Sequence, residues 1–190
     1  MTSWKDVPGW YDFDDIYREA VAIAPHRGAH FVEVGTFFGR STIHLAEMIR
    51  DSGKQISLDA IDPSRLDPPS LPLSEDMRPF ASMYGGIRQV FEHFSKEAGV
   101  RHFINVVPHK DHEVVDRYEN GSLDLFFLDA DHTYEGTKAS ILMWLPKMKP
   151  GAIFAGHDYV VPGWPGVKQA VDEVLGNKIS VKGLSFYMRV

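Results

Sequence analysis

The stretch HFVEVGTFFGRS, residues 30–41, decides the fold because it joins an apolar strand to a helix through two glycines. Residues 30–34 have the short, apolar character of a buried strand. Residues 40–51 place Ile43, Ala46 and Ile49 on one face of a helix. The stretch therefore predicts a strand, a tight turn and a helix in direct succession.

The turn itself, EVGTFFGRS at 33–41, has the spacing of a ligand-binding loop. Gly35 and Gly39 allow close approach of the backbone to a ligand, and the following helix offers unpaired N–H groups to an anion. The spacing matches neither a phosphate-binding P-loop, because Arg40 stands where that motif needs Lys, nor the dinucleotide fingerprint. A tight turn without a ligand is the alternative.

The same alternation of strand and helix continues on both sides of this stretch. It predicts a single α/β domain over 1–190, with a Rossmann-like, doubly wound, mostly parallel seven-stranded sheet and helices on both faces. We expect an N-terminal helix within 1–28 and a lid loop at 63–83, which holds five prolines. The predicted strands are 30–34, 55–62, 102–107, 123–129, 152–158, 178–182 and 185–190, and the predicted helices are 12–24, 40–51, 85–98, 134–147 and 166–176.

Composition excludes several classes of protein. The chain has 190 residues, a net charge of −6 and no Cys, so it has neither a disulfide framework nor a Cys-based zinc site. No basic stretch is long enough to follow a phosphate backbone, and no apolar run is long enough to span a membrane. We therefore expect a soluble, cytoplasmic protein that binds neither nucleic acid nor membrane.

Two acidic residues at strand ends indicate the kind of ligand. Glu33 lies one step inside the first predicted strand and suits an ammonium group, while the helix start beyond Gly35 suits a carboxylate. Asp62 ends the second strand, where an acid can bind both hydroxyls of a ribose. A strand-end cap is the alternative for Asp62. Together the two acids favour an amino acid joined to a nucleoside, S-adenosylmethionine.

The stretch LFFLDADHTYEG, residues 125–136, ends a buried strand with two carboxylates and an imidazole. A turn alone would more simply use Gly, Asn or Pro. A further pair, His157 and Asp158, ends the predicted strand 152–158. These residues form either a metal site or a hydrogen-bonded polar cluster, and Asp131 is a further ligand or a helix cap.

The motifs EVGTFFGRS, DADHTYE, KPGA and GHDY resemble those of class I S-adenosylmethionine-dependent methyltransferases. Within them they are similar to the small-molecule O-methyltransferase group that includes macrocin-type and cephalosporin-hydroxylase-like proteins. The resemblance runs over nearly the whole chain. It implies that the methionine part contacts Glu33, Gly35, Thr36, Gly39 and Ser41, that Asp62 and Asp129 face the cofactor, and that Lys110 and Asp111, within the loop 109–112, lie near the adenine.

The resemblance to metal-dependent members also implies roles for the acidic cluster. It assigns Asp129, His157 and Asp158 to a divalent cation such as Mg²⁺ or Mn²⁺, and His132 to general-base catalysis. The sequence departs from those members at His157, where they have a carboxylate; an imidazole suits Mn²⁺, Fe²⁺ or Zn²⁺ better than Mg²⁺.

The leading hypothesis is methyl transfer to a hydroxyl of a small molecule. A metal-dependent hydrolase that uses Asp129, Asp131, His132, His157 and Asp158 is one alternative, and a non-catalytic cofactor-binding protein of the same fold is another. Trp164 is a candidate wall of the acceptor pocket, or part of a rigid turn. The cluster Pro8-Gly9-Trp10-Tyr11 is a candidate homodimer contact, and so is Trp164. Elsewhere, we interpret His44 and His93 as surface residues and Met143 and Trp144 as packing residues.

Overall fold

The repeated strand–helix units build one seven-stranded sheet. A computed structural model of the chain describes residues 3–63 and 75–190. Its strands are β1 Arg27–Val34, β2 Gln55–Ile61, β3 Ile104–Val107, β4 Leu123–Leu128, β5 Met148–Gly156, β6 Ser180–Lys182 and β7 Ser185–Arg189. Their order is β3-β2-β1-β4-β5-β7-β6, with β7 antiparallel to both of its neighbours and the first five strands parallel. The predicted fold class is confirmed.

The register of the parallel strands places their carboxyl ends side by side. Val34 pairs with Ile61 on one side and with Leu128 on the other, and Leu128 pairs with Gly156. The residues that directly follow these strands therefore meet at one edge of the sheet. This is the edge where open α/β sheets bind their ligands.

Helices cover both faces of the sheet. They are α1 Asp14–Ile23, α2 Arg40–Ser52, α3 Met77–Tyr84, α4 Ile87–Glu97, α5 Asp111–Val114, α6 Tyr134–Trp144 and α7 Pro165–Val174. Short 3-10 helices lie at Trp4–Asp6, Arg101–Phe103, Val115–Arg117, Leu145–Lys147 and Gly176–Lys178. Helices α1 to α4 pack on one face, and α5 to α7 pack on the other. In the described part of the chain, none of the helices combines the length and the apolar character needed to cross a membrane.

Strand β4 shows why its sequence is almost continuously apolar. Leu125 and Phe127 belong to the core under α1 and α2, whereas Phe126 and Leu128 belong to the core under α6 and α7. Successive side chains of a strand point to opposite faces, so a strand covered on both sides needs apolar residues at every position. Trp144 on α6 is fully buried against Phe126, as predicted for a packing residue.

Four local predictions need correction. Strand β1 begins at Arg27 rather than at residue 30, and β5 begins at Met148 rather than at residue 152. Residues 77–83 of the predicted loop belong to α3, while residues 64–74 lie outside the described part of the chain. His44 is buried and not on the surface, because its ring stacks on Trp4 at a centroid distance of 4.2 Å.

Candidate functional site

The glycine turn packs directly against the end of β4. Gly35 has a φ of +85°, and a Cβ built on it would lie 1.8 Å from the carbonyl oxygen of Asp129. Gly39 has a φ of +93°, and its Cβ would lie 2.3 Å from the ring of Phe91 on α4. At both positions a larger side chain would collide with the protein itself. Gly35 also brings the turn into contact with the backbone of Asp129.

Glu33 is a buried acid beneath this turn. It is 1% exposed, and its Oε1 accepts a hydrogen bond from the hydroxyl of Ser41 at the start of α2. Its Oε2 and the hydroxyls of Tyr17 and Thr42 make no well-aligned hydrogen bond among the described residues. Burial raises the pKa of Glu33 to about 7, against the opposing effect of the nearby hydroxyls of Ser41, Thr42 and Tyr17. A cationic donor such as an ammonium would satisfy this carboxylate.

Asp62 holds the backbone of the glycine turn. It is 4% exposed, and its Oδ2 accepts hydrogen bonds from the backbone N–H groups of Thr36, at 2.7 Å, and Phe37, at 2.6 Å. These two hydrogen bonds explain how Phe37 is kept at a φ of 43°, a backbone conformation that residues other than Gly rarely adopt. The structure therefore gives Asp62 a role in shaping the turn, in addition to the ribose contact expected from the sequence.

The loop after β3 leads into α5 and reaches α6. The hydroxyl of Ser140 and the indole N–H of Trp144 both donate to Asp111 Oδ2, at 2.6 and 3.3 Å. Lys110 is exposed, and its backbone N–H donates to Glu113 Oε2. Asp111 thus ties this loop to α6, while Lys110 stays open to solvent.

A cluster of three ionisable side chains lies at the carboxyl ends of β4 and β5. His132 Nε2 is 2.8 Å from Asp158 Oδ2 and 3.5 Å from Asp129 Oδ1. One ligand atom from each residue lies within 4.8 Å of the other two, a spacing that suits a single divalent cation. His132 Nε2 is buried without a well-aligned hydrogen bond among the described residues, so a cation between the carboxylates would give it a partner. The residues present therefore fit a cation.

The charges of the cluster set the protonation of its imidazole. Burial alone lowers the pKa of His132, but the contacts and charges of Asp129 and Asp158 outweigh it and raise that pKa to about 9. Burial raises the pKa of Asp158, and the contact with His132 more than reverses this, so the pKa falls below its ordinary value. Without a cation, His132 is therefore an imidazolium at neutral pH.

His157 contacts Asp12 in the segment that precedes α1. It is 6% exposed, and its Nε2 lies 3.0 Å from Asp12 Oδ1. Its Nδ1 faces the cluster, 3.3 Å from Asp158 Oδ1 and 3.8 Å from Asp129 Oδ2. The predicted ligand is thus beside the two carboxylates, with one nitrogen already engaged. No local pattern marks Asp12 as its partner, because 145 positions separate the two residues.

Asp131 belongs to the turn that leads into α6. Its Oδ1 accepts a hydrogen bond from Thr133 N at 2.8 Å, and the Thr133 side chain caps the helix by accepting from Gly136 N. A Cβ on Gly136 would lie 2.2 Å from the Asp131 carboxylate. Asp131 therefore shapes the turn, while Thr133 is the cap.

Comparison with known proteins is consistent with this architecture. A family model described as a methyltransferase domain matches residues 32–159. No curated protein sequence matches the chain significantly.

Solved structures of methyltransferases share the fold. An apo TDP-rhamnose 3'-O-methyltransferase of calicheamicin biosynthesis, CalS11, superposes with a TM-score of 0.64 at 21% identity, covering 92% of this chain and 76% of that one. The O-methyltransferase NovP gives 0.67 at 16% identity, with 92% and 78% covered. TomG from Streptomyces achromogenes, an O-methyltransferase of tomaymycin synthesis solved with S-adenosylmethionine, gives 0.61 at 15%, with 98% and 84% covered.

Proposed function

Because the chain belongs to the methyltransferase-domain family, we propose that it transfers the methyl group of S-adenosylmethionine to a hydroxyl of a small molecule. One observation carries the proposal: the glycine turn lies against Asp129, so a cofactor bound at the turn has its reactive end beside Asp129, His132 and Asp158. Cofactor and proton-accepting groups thus share one edge of the sheet.

The proposed cofactor contacts follow from the buried acids of this edge. The unsatisfied oxygen of Glu33 suits the methionine ammonium, and the start of α2, with Gly39 and Ser41, suits its carboxylate. Asp62 is proposed to bind the ribose because it directly follows β2 at the same edge of the sheet. The remaining proposed contacts are Gly35, Thr36, Lys110, Asp111 and Asp129.

The proposed reaction is an in-line displacement at the methyl carbon. The acceptor oxygen forms a bond to carbon as the carbon–sulfur bond breaks, and the electron pair of that bond goes to sulfur. His132, once deprotonated, takes the hydroxyl proton. The two carboxylates that raise the pKa of His132 make it a stronger base, better matched to a weakly acidic hydroxyl.

We propose Asp129, Asp158 and His157 Nδ1 as ligands for a divalent cation, which leaves His132 free as the base. When bound, such an ion lowers the pKa of an acceptor hydroxyl and fixes its position. The spacing of the cluster also allows His132 as the third ligand in place of His157. Loss of Mn²⁺ affinity in His132→Ala but not in His157→Ala would favour that second arrangement.

The proposed acceptor is a small molecule, in keeping with CalS11, which is a TDP-rhamnose 3'-O-methyltransferase. The described residues offer no reason to add a nucleic acid or a membrane as a partner. A metal-dependent hydrolase remains the second candidate, because the spacing of Asp129, His132 and Asp158 would equally suit activation of a water molecule.

Calorimetric titration of S-adenosylmethionine and of S-adenosylhomocysteine into the protein tests the proposal, once with EDTA and once with Mn²⁺. We expect micromolar binding of both compounds, and loss of binding in Glu33→Ala and Asp62→Ala. The matched controls are Glu97→Ala and Asp51→Ala at exposed helix positions. Absence of binding under both conditions would remove the methyltransferase proposal and favour the hydrolase.

A further inference from the structure

The proposed base has an exposed indole as its neighbour. Trp164 is 46% exposed, and its ring stacks on the ring of His132 at a centroid distance of 4.6 Å and an interplanar angle of 25°. His132 covers part of the indole, and the rest stays open to solvent. A large apolar ring thus stands uncovered beside the group that must meet the acceptor hydroxyl.

The position of Trp164 is fixed by the backbone around it. The indole lies at the residue before α7, between Val161, whose carbonyl oxygen accepts from Trp164 N, and Pro165, which begins the helix. A Cβ on Gly166 would lie 2.5 Å from Tyr134 N and 3.0 Å from the carbonyl oxygen of His132. The loop after β5 is therefore seated on the segment after β4.

The acceptor must come within hydrogen-bond reach of the His132 imidazole, so the part of it that carries the hydroxyl also lies beside Trp164. A flat apolar ring gains dispersion and stacking energy against an indole, which an open polar chain cannot match. The three carboxylates of Asp129, Asp131 and Asp158 outnumber the two imidazoles of His132 and His157 at this edge. They disfavour an anionic group next to the reacting hydroxyl.

We propose that Trp164 is a specificity-determining residue that selects acceptors whose hydroxyl is carried by an uncharged ring with a flat apolar face. The inference rests on the proposed methyltransferase function and specifies its substrate class. An aromatic diol and a sugar ring both have this chemistry, and the test includes one of each.

The experiment measures binding to protein loaded with S-adenosylhomocysteine, so that methyl transfer is not needed for the readout. The probes are catechol, methyl β-D-glucopyranoside and the open-chain propane-1,2-diol, and dissociation constants come from ligand-observed NMR titration. The proteins are wild type, Trp164→Ala, Trp164→Phe and Leu142→Ala. Leu142 is a matched control because it is 54% exposed near the other end of α6.

We expect at least one ring probe to bind wild type and Leu142→Ala equally, about tenfold more weakly to Trp164→Ala, and within about threefold of wild type to Trp164→Phe. The open-chain diol should bind most weakly and should not respond to the substitutions. In turnover with the ring probe that binds, Trp164→Ala should raise KM more than it lowers kcat.

Three results would overturn the inference. They are equal affinity of the ring probes for wild type and Trp164→Ala, binding of the open-chain diol as tight as that of the rings, and no binding of either ring probe by product-loaded wild type. Titration of S-adenosylhomocysteine into each protein separates these results from failure of the proposed function. If the proposed function is wrong, S-adenosylhomocysteine itself does not bind to wild type; if only the inference is wrong, it binds.

Discussion

At the scale of single residues, His132 is the side chain whose environment bears most directly on the chemistry. It lies between Asp129 and Asp158, and its pKa is raised to about 9. Replacing it with Gln should lower turnover by about 10²- to 10⁴-fold, the usual contribution of a general base, with little change in cofactor affinity. The measurement is kcat together with calorimetry of S-adenosylmethionine, and His93→Gln on the exposed face of α4 is the control.

The same residue predicts the pH dependence of the reaction. In EDTA, the fraction of neutral His132 grows about tenfold for each pH unit below 9, so kcat should rise with pH and level off near 9. In Mn²⁺, the charge of the cation beside Asp129 and Asp158 should favour loss of the proton from His132. The rise of kcat with pH should therefore move to lower pH. A profile that is flat from pH 6 to 9 in EDTA would remove His132 as the base.

Glu33 predicts a conflict between stability and binding. Its folded pKa of about 7 lies above the ordinary value of 4.5, so its contribution to stability is complete below pH 4.5 and is lost as the pH rises to 7. Glu33→Gln should therefore raise the free energy of unfolding at pH 8 by roughly 1–3 kcal/mol and change it little at pH 4.5. Urea denaturation at both pH values measures this.

The affinity for the cofactor should fall in the variant in which the stability of the free protein rises. If the ammonium binds Glu33, Glu33→Gln weakens binding of S-adenosylmethionine at pH 8 while it stabilises the free protein. Glu97→Gln at the exposed end of α4 should change neither quantity. A variant that is stabilised and still binds the cofactor normally would mean that Glu33 only supports Ser41.

At the scale of elements, the glycine turn joins β1 to α2 and also meets the end of β4. Gly35 and Gly53 both have positive φ, of +85° and +67°, but a Cβ on Gly35 would collide with Asp129 while one on Gly53 meets nothing within 4 Å. Gly53→Ala should therefore cost about 1 kcal/mol, which is the cost of the backbone conformation alone. Gly35→Ala should cost more, because the turn and the end of β4 must move apart.

Chemical denaturation and product titration measure this pair. We expect Gly35→Ala to lose binding of S-adenosylhomocysteine and Gly53→Ala to keep it. Equal stability losses in the two variants would mean that the turn can move away from β4 at no cost.

The N-terminal segment predicts a second coupling between elements. Asp12 accepts from Leu184 N at 3.2 Å and contacts His157 Nε2, so one side chain links the segment before α1 to β5 and β7. Asp12→Ala should cost roughly 1–2 kcal/mol of stability. A double-mutant cycle with His157→Ala should give a coupling of at least about 0.5 kcal/mol. Additive losses would contradict the link, and Asp116→Ala at an exposed position is the control.

The elements also show what the sequence could predict. The sequence predicts β4 because a strand buried on both faces is apolar at almost every position. It predicts the glycine turn because that turn depends on residues close together in the chain. Strand β5 was predicted to begin too late because Pro150 and Gly151 are typical of turns, yet β5 continues through them. The burial of His44 depends on Trp4, 40 positions away, and no local pattern reports such a contact.

At the scale of the whole molecule, the ends of four strands bring the site residues together, as the predicted parallel sheet leads one to expect. The distances among them were not foreseeable. Asp129 and Asp158 were predicted to lie together, but the short contact of His132 with Asp158 depends on the turn after β4. Asp62 was expected at a ribose, and its contacts with Thr36 and Phe37 became evident only in three dimensions.

The whole molecule should report both ligands through its melting temperature, since a ligand that binds only the folded state stabilises it. A concentration of S-adenosylhomocysteine near 100 times its dissociation constant should add about 2.7 kcal/mol of stability. If the cation binds between Asp129 and Asp158, Mn²⁺ should add a further shift in wild type. Asp158→Asn should lose that second shift and keep the first, because Asp158 contacts His132 and His157 rather than the glycine turn. Asp172→Asn on the exposed face of α7 should keep both.

A Mn²⁺ shift that survives in Asp158→Asn would place the cation elsewhere. Absence of any Mn²⁺ shift in wild type would mean that His132, with its two carboxylates, acts as a base without a metal.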